Sequence, residues 1–144
     1  MEPDAAHHTY ACDTPITVRF AETDAQGIVH NSNYLVWYEV ARIDYIERFM
    51  GGYASIRERG VEALTTETHV RYLKPALFDD RLVVRSRIRH ARGARFRFEY
   101  AIERDDELIA DGWTLHAFVD GTTLRPIRLP DWFGEAVARV EPEY

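Results

Sequence analysis

One long, apolar helix constrains the fold of this chain more than any other feature of its sequence. Residues 33–50 form the longest helical candidate, and apolar side chains recur on most sides of it. A surface helix normally carries a single apolar stripe, so this one is expected to be buried on several sides. Gly51 and Gly52 end it, because glycine readily adopts the left-handed conformation that follows many helices.

Alternation of apolar and polar residues predicts strands in most of the remaining sequence. The first strand is expected to carry Ile16, Val18 and Phe20 on one face. Strands are predicted over residues 14–21, 61–74, 81–90, 94–103 and 108–119, and short helices over residues 54–59 and 131–140.

The pairing of the third and fourth strands can be predicted from their side chains. A three-residue turn at residues 91–93 sets Ile88 opposite Phe96 and Arg85 opposite Glu99, so that apolar meets apolar and charge meets countercharge. A two-residue turn would reverse the faces and break this match.

The fourth and fifth strands are predicted to pair in the same manner. Their turn sets Ile109 opposite Ile102 and Trp113 opposite Phe98. The result is an antiparallel meander with one apolar face, which needs a cover. Because the helix at residues 33–50 is the only element large enough, the predicted fold is α+β, with an antiparallel sheet wrapped around one long central helix.

Composition and charge exclude several classes of protein. The net charge is −6, which argues against non-specific nucleic-acid binding because that needs a basic surface. Cys12 is the single cysteine, so no intrachain disulfide can form, and a cytoplasmic location is expected. No apolar run approaches the roughly 20 residues of a membrane span. Residues 1–13 are polar and are expected to be a flexible leader outside a single domain at residues 14–144.

Residues 22–34 combine groups that can perform catalysis. Asp24 precedes Gly27, which allows a tight turn, and Asn31 lies at or just before the start of the long helix. A carboxylate beside a helix N-terminus can attack a substrate or activate water, and free backbone N–H groups can stabilise an oxyanion. The alternative is that Asp24 only caps a turn before Gly27, as aspartate often does.

This segment resembles the signature of hotdog-fold acyl-CoA thioesterases of the 4-hydroxybenzoyl-CoA thioesterase type. The matching residues are Thr23, Asp24, Gly27, Val29, Asn31, Tyr34, Glu39, Ala41 and Arg42. Further blocks at residues 71–76 with 79–80, and at 124–130, fit in the expected order, so the resemblance covers roughly residues 14–133. It implies the hotdog fold and hydrolysis of a thioester to a carboxylic acid and free CoA.

The resemblance also assigns roles within the segment. It implies that Asp24 is the catalytic carboxylate, acting as a nucleophile or as the base that deprotonates water. It implies that the Asn31 main chain donates to the thioester carbonyl, which is compatible with an ordinary helix cap at this position. Gln26 and Gly27 are expected beside the substrate, Gln26 as a residue that holds water or the thioester.

His30 and Tyr34 are further candidates for substrate binding. Some relatives carry a histidine where Asn31 stands, and here the imidazole lies one residue earlier. Tyr34 is expected either to line an acyl pocket or to belong to the core. Glu39 is an alternative active carboxylate, although an ion pair with Arg42, three residues later on the helix, is the simpler expectation.

Arginines concentrate on the hairpin between the third and fourth strands. Arg85 faces Glu99 in the predicted register, but Arg89 would face Arg95, and a bound anion would relieve that repulsion. Arg89, Arg92 and Arg95 are therefore predicted to bind an anion, and the resemblance implies that this anion is a phosphate of CoA. The alternative is a solvated face of the sheet.

Expected partners follow from the same observations. No spacing of histidine, cysteine and carboxylate residues indicates a metal site, and no cofactor is expected. The resemblance implies a site between two subunits, hence a homodimer or homotetramer that acts on acyl-CoA without nucleic acid or a membrane. The alternatives are an acyl-carrier-protein thioesterase and a non-catalytic acyl-CoA binding module. A hotdog dehydratase is disfavoured because its helix histidine is absent.

Overall fold

A computed structural model describes residues 10–142 as one antiparallel sheet with a long helix against it. The strands are β1 Cys12–Thr17, β2 Val61–Tyr72, β3 Arg81–Arg92, β4 Arg95–Arg104 and β5 Glu107–Asp120, in the order β1-β3-β4-β5-β2. The helices are α1 Asn33–Phe49, α2 Tyr53–Glu58 and α3 Asp131–Val140, and a 3₁₀ helix spans Phe20–Glu22. The predicted α+β architecture is confirmed.

The core lies between the sheet and one face of α1. Trp37, Tyr38 and Tyr45 are buried on this face, and the Tyr38 ring stacks on Tyr100 of β4 with centroids 3.9 Å apart. Aromatic side chains bury large apolar areas, which is the main favourable contribution to folding. α1 contacts β1 and β3, so it covers one half of the sheet more fully than the half near β2.

The opposite face of α1 is apolar and exposed within one chain. Leu35, Val36, Val40 and Ile43 are 41–47% exposed. The expectation that α1 is buried on several sides is therefore wrong for a single chain, because the sheet covers only one face. Among residues 10–142, no helix has the length and apolarity needed to cross a membrane.

β1 begins earlier than predicted. Cys12 is 1% exposed and pairs with Ser86 of β3, so residues 12 and 13 belong to the sheet and the predicted domain boundary at residue 14 is wrong. Burial of Cys12 in the core explains this early start. Residues 1–9 of the predicted leader lie outside the described residues.

β1 also ends earlier than predicted, at Thr17. The Glu22 carboxylate accepts the Arg19 N–H at 2.7 Å, which draws the chain into the 3₁₀ helix. Val18 is still buried, but Phe20 is 74% exposed instead of continuing the apolar face of the strand.

The hairpin between β3 and β4 has a register two residues away from the predicted one. The partner of Ile88 is Phe98, and the strands are joined by a two-residue turn. A bulge that includes His90, which has a φ of 55°, absorbs one extra residue of β3. The predicted pair of Arg85 and Glu99 is wrong for this reason, but every residue keeps its face because the shift is even.

The register between β4 and β5 differs from the predicted one by a single residue. Ile102 lies opposite Ala110, and a bulge follows immediately. An odd shift exchanges the two faces of β5, so His116 is buried in the core and Trp113 lies on the other face. The partners predicted for Ile109 and Trp113 are therefore wrong.

Candidate active site

A tight loop holds Asp24 beside the N-terminus of α1. Its Oδ1 accepts the Gln26 N–H at 2.8 Å, and its carbonyl accepts the Gly27 N–H at 3.0 Å. Gly27 has a φ of 79°, which a residue with a Cβ adopts only with strain. A bridge between Thr23 and Val29 closes the loop. Asp24 thus caps a turn, and within residues 10–142 its Oδ2 keeps no hydrogen-bond partner.

A second carboxylate, Glu22, is buried under this loop and was not predicted from the sequence. Its side chain is 4% exposed and accepts hydrogen bonds from the Trp37 indole at 2.9 Å and the Arg19 N–H at 2.7 Å. The contact with Trp37 ties the loop to α1. The only sequence signal for this role is an acidic residue two positions before Asp24, which carries little information alone.

The N-terminus of α1 presents an unpaired donor. His30 Nδ1 accepts the Ser32 N–H at 3.2 Å and so caps the helix. The Asn31 N–H has no hydrogen-bond partner within residues 10–142, whereas the Asn31 carbonyl accepts from the Tyr72 hydroxyl at 3.0 Å. An unpaired N–H at the positive end of a helix dipole is suited to a developing oxyanion.

One cavity of about 310 Å³ brings four of the nine predicted site residues together. Its predicted lining residues are Asp24, Gln26, Asn31 and Tyr34, and its additional ones are Ile28, Val29, Tyr72, Leu73, Lys74 and Pro75. Gly27 shapes the loop and His30 caps the helix, and neither lines the cavity. The wall formed by the end of β2 was indicated only by the weak sequence block at residues 71–76.

Tyr34 belongs both to the cavity wall and to the core. It is 3% exposed, and its ring meets the Tyr72 ring edge to face with centroids 4.9 Å apart. Burial raises the pKa of the Tyr34 hydroxyl above its usual value, so this group stays protonated. Tyr34 is therefore a core residue that also lines the cavity, and its contact with an acyl group stays a prediction.

The hairpin arginines differ in their surroundings. Arg89 donates to the Glu141 carboxylate at 2.9 Å, and the Glu141 side chain is fully buried. Arg89 lies opposite Arg97 instead of the predicted Arg95. Arg92 and Arg95 are exposed and face each other beside the turn. Arg89 thus has a structural role that the sequence did not indicate.

Two arrangements of charged side chains are absent from residues 10–142. Glu39 and Arg42 do not form the expected ion pair, and both line a second cavity, which shares no lining residue with the Asp24 cavity. In addition, no group of three or more histidine, cysteine or carboxylate side chains is arranged to hold a metal ion.

The sequence profile of the thioesterase-like superfamily matches residues 18–137. The chain belongs to this superfamily. The matched region of this superfamily member runs from the end of β1 into α3 and includes the Asp24 loop. The family resemblance, the hotdog fold and the class of thioester hydrolase are thereby confirmed.

Several members of the superfamily are similar over most of the chain. YneP of Bacillus subtilis is 34% identical over 122 residues, which are 81% of this chain and 88% of YneP. The acyl-CoA thioester hydrolase YbgC of Escherichia coli is 26% identical over 117 residues, 81% of this chain and 87% of YbgC. The structure of DHNA-CoA thioesterase from Staphylococcus aureus has a TM-score of 0.82 at 32% identity and covers 89% of both chains.

Proposed function

We propose that this protein hydrolyses acyl-CoA thioesters in the cytoplasm, with Asp24 as the catalytic carboxylate. The observation that carries this proposal is one cavity that holds Asp24 and the unpaired Asn31 N–H at the N-terminus of α1. The names of the Escherichia coli and Staphylococcus aureus relatives support a CoA thioester as the substrate. The single cysteine, Cys12, is unpaired, which fits a reducing compartment.

Asp24 has two possible routes to the products. As a nucleophile, a carboxylate oxygen bonds to the carbonyl carbon, the carbon–sulfur bond breaks, and water then hydrolyses the mixed anhydride. As a base, the carboxylate takes a proton from water while the water oxygen attacks the carbon. On both routes negative charge develops on the carbonyl oxygen, to which the Asn31 N–H donates. The departing CoA thiolate is stable enough to leave without a strong general acid.

A single turnover in oxygen-18 water tests the nucleophilic route, because heavy oxygen in Asp24 is the result that only this route gives. Water that attacks the Asp24 carbonyl of an anhydride leaves the heavy oxygen in the protein, where mass spectrometry of the Asp24 peptide detects it. Water activated by a base leaves the heavy oxygen only in the carboxylic acid product.

Release of free thiol from a panel of acyl-CoA substrates tests the function. Asp24→Asn keeps the shape of the side chain and removes its charge, so kcat should fall by about 10² or more while binding persists. Asp131→Asn, at the exposed start of α3, is the matched control. Near-normal turnover of Asp24→Asn would contradict the assignment and favour Glu39. Tight acyl-CoA binding by the wild type without thiol release would instead favour a binding module.

We also propose that the working unit is at least a homodimer. Leu35, Val36, Val40 and Ile43 expose an apolar face of α1, and β2 is an edge strand whose side chains are mostly exposed. Exposed apolar patches and unpaired strand edges are typical of surfaces that bind another chain. Two such dimers pairing with each other would form the homotetramer.

A further inference from the structure

A second cavity, of about 280 Å³, lies between α1 and β2 and reaches β4 and β5 in the middle of the sheet. Its apolar lining consists of Ile43, Ile46, Met50, Ile56, Ala63, Phe96, Phe98, Phe118 and Phe133. Its polar lining consists of Glu39, Arg42, Tyr53, Thr65 and His116. We call it the α1–β2 cavity. A mostly apolar cavity with a few convergent polar groups is the usual form of a small-molecule site.

A chain of hydrogen bonds connects three polar residues of this cavity, Arg42, His116 and Thr65. Arg42 donates to the Tyr100 hydroxyl at 3.0 Å, so that the Tyr100 proton is directed to Thr114, 2.6 Å away. Thr114 in turn lies 2.7 Å from His116 Nε2, and Thr65 lies 3.3 Å from His116 Nδ1. Burial lowers the pKa of His116, so its imidazole is neutral, with one ring nitrogen donating a hydrogen bond and the other accepting one.

Arg42 and Glu39 place complementary polar groups at the same cavity. Arg42 is half-buried and has no carboxylate within ion-pair distance in residues 10–142, so part of its guanidinium has no acceptor. Glu39 is an acceptor one helical turn away on the same wall. A hydroxyl group accepts from Arg42 and donates to Glu39, whereas a carboxylate would satisfy Arg42 and be repelled by Glu39.

The α1–β2 cavity and the Asp24 cavity both have walls formed by α1 and β2. Tyr34 on α1 and Tyr72 on β2 line the Asp24 cavity, and their rings are in contact. Farther along, Leu35, Glu39 and Arg42 follow each other at spacings of four and three residues, which place them on one flank of α1. The eight residues from Tyr34 to Arg42 correspond to about 12 Å of helix.

We propose that the two cavities form one groove along α1, that this groove holds the acyl group of the thioester, and that Glu39 and Arg42 recognise a hydroxyl group near its far end. The inference rests on the proposed function, because Asp24 must hold the thioester at the near end. The substrate class is then a CoA thioester of a long, apolar acyl group that carries a hydroxyl about 12 Å from the thioester carbonyl. A single aromatic ring bearing a hydroxyl is too short to reach both ends.

Paired substrates test this recognition. The wild type should have a kcat/KM for omega-hydroxydecanoyl-CoA about tenfold or more above that for decanoyl-CoA, as for one hydrogen bond to a charged group. The pair para-hydroxybenzoyl-CoA and benzoyl-CoA should show no such preference, because its hydroxyl falls short of Arg42. Equal rates for the decanoyl pair, or a preference confined to the benzoyl pair, would overturn the proposal.

Variants of Arg42 and Glu39 test whether these two residues cause the preference for the hydroxylated substrate. Arg42→Met keeps an unbranched apolar stem and removes the guanidinium, and the ratio of the two decanoyl rates should fall about tenfold. Arg139→Met, on the exposed side of α3, should keep the wild-type ratio. Loss of hydrolysis of both substrates in Glu39→Gln would place Glu39 in the chemical step and overturn the proposal.

Binding to an inactive protein separates this inference from the function on which it rests. Calorimetric titration of Asp24→Asn should show tighter binding of the hydroxylated decanoyl-CoA than of decanoyl-CoA, and Arg42→Met in the same background should remove the difference. If Asp24→Asn loses hydrolysis but binds both thioesters equally, the function stands and the hydroxyl recognition fails. If Asp24→Asn still hydrolyses both, the proposed function itself fails.

Discussion

At the scale of single residues, Glu22 has the most demanding environment near the Asp24 cavity. Its carboxylate is almost fully buried, and the Arg19 guanidinium, 3.5 Å away, is 73% exposed and therefore screened by water. The hydrogen bonds from Trp37 and from the Arg19 N–H are what stabilise the buried charge. The position of the Asp24 loop on α1 thus depends on a residue outside the cavity.

Glu22→Ala should lower the free energy of unfolding by about 1–3 kcal/mol, because it leaves the Trp37 N–H buried without an acceptor. It should also lower kcat, since Asp24 is held less firmly. Glu22→Gln retains an acceptor and should lose less of both. Urea denaturation measures the first effect and thiol release the second, with Glu58→Ala on exposed α2 as the control. Wild-type stability of Glu22→Ala would contradict this role.

His116 should make the stability of the protein depend on pH. Burial lowers the pKa of His116 to about 3, whereas histidine in an unfolded chain titrates near pH ~6.5. Between these values the unfolded chain binds a proton that the native chain does not. The free energy of unfolding should therefore fall as the pH falls below ~6.5, by about 1.4 kcal/mol per pH unit, and be unaffected by this group above that pH.

Urea denaturation between about pH 7 and about pH 4 measures this dependence, because it reports the free energy of unfolding directly. His116→Gln should flatten it, and His69→Gln, at an exposed position on β2, should leave it unchanged. Equal slopes for the wild type and His116→Gln would show that His116 does not control the dependence.

Sequence reasoning at this scale found residues that lie close together along the chain. Asp24, Gln26 and Asn31 were predicted because they belong to one short motif, and they line one cavity. Glu22 was missed because its role depends on a contact with a distant element. A buried carboxylate becomes recognisable only when its partner, here Trp37 fifteen residues later, is known to be in contact.

At the scale of helices and strands, the existence of each element was easier to predict than its exact pairing. The α3 bounds agree with the prediction, and every predicted strand is present in the sheet. The registers of both hairpins were wrong because each contains a bulge, one near His90 and one after Ile102. A bulge adds a residue to one strand and so changes which residues lie opposite each other, and the predicted registers assumed ladders without bulges.

Two arginines on the hairpin of β3 and β4 should have different roles. Arg92 should contribute to CoA binding, and Arg89 should contribute to stability. Arg92→Ala should raise KM for acyl-CoA with little change in kcat, because a phosphate contact is the same in the ground state and transition state. The effect should shrink at high salt and vanish for an acyl-pantetheine, which lacks the nucleotide. Arg89→Ala should instead destabilise the fold by about 3 kcal/mol, because it leaves the buried Glu141 carboxylate without its ion-pair partner.

Steady-state kinetics on both substrates and urea denaturation of both variants check this separation. An unchanged KM of Arg92→Ala for acyl-CoA, or an equal loss on acyl-pantetheine, would favour a solvated face of the sheet. If Arg89→Ala were as stable as the wild type but had a raised KM, Arg89 would bind CoA and would not be needed for stability.

At the scale of the whole molecule, the exposed apolar face of α1 leads to a prediction about assembly. Sedimentation equilibrium at assay concentration should show a dimer or a tetramer formed by two dimers. Val40→Asp places a charge in the centre of this face and should shift the protein toward monomer, because an unpaired charge is costly to bury in an interface. Ala138→Asp adds the same charge to an exposed site on α3 and is the control. A fully active wild-type monomer would contradict a shared site.

The contacts of Glu141 have a consequence for the synthesis of the protein. Its buried carboxylate accepts from the Tyr45 hydroxyl at 2.8 Å, from the Ile88 N–H at 3.1 Å and from Arg89, and so joins α1 to β3 from a position late in the chain. A nascent chain held on the ribosome before residue 141 has emerged leaves these donors exposed to water or unsatisfied. The core can therefore form all of these contacts only after residue 141 has left the ribosome. A chain truncated before this residue would lack them.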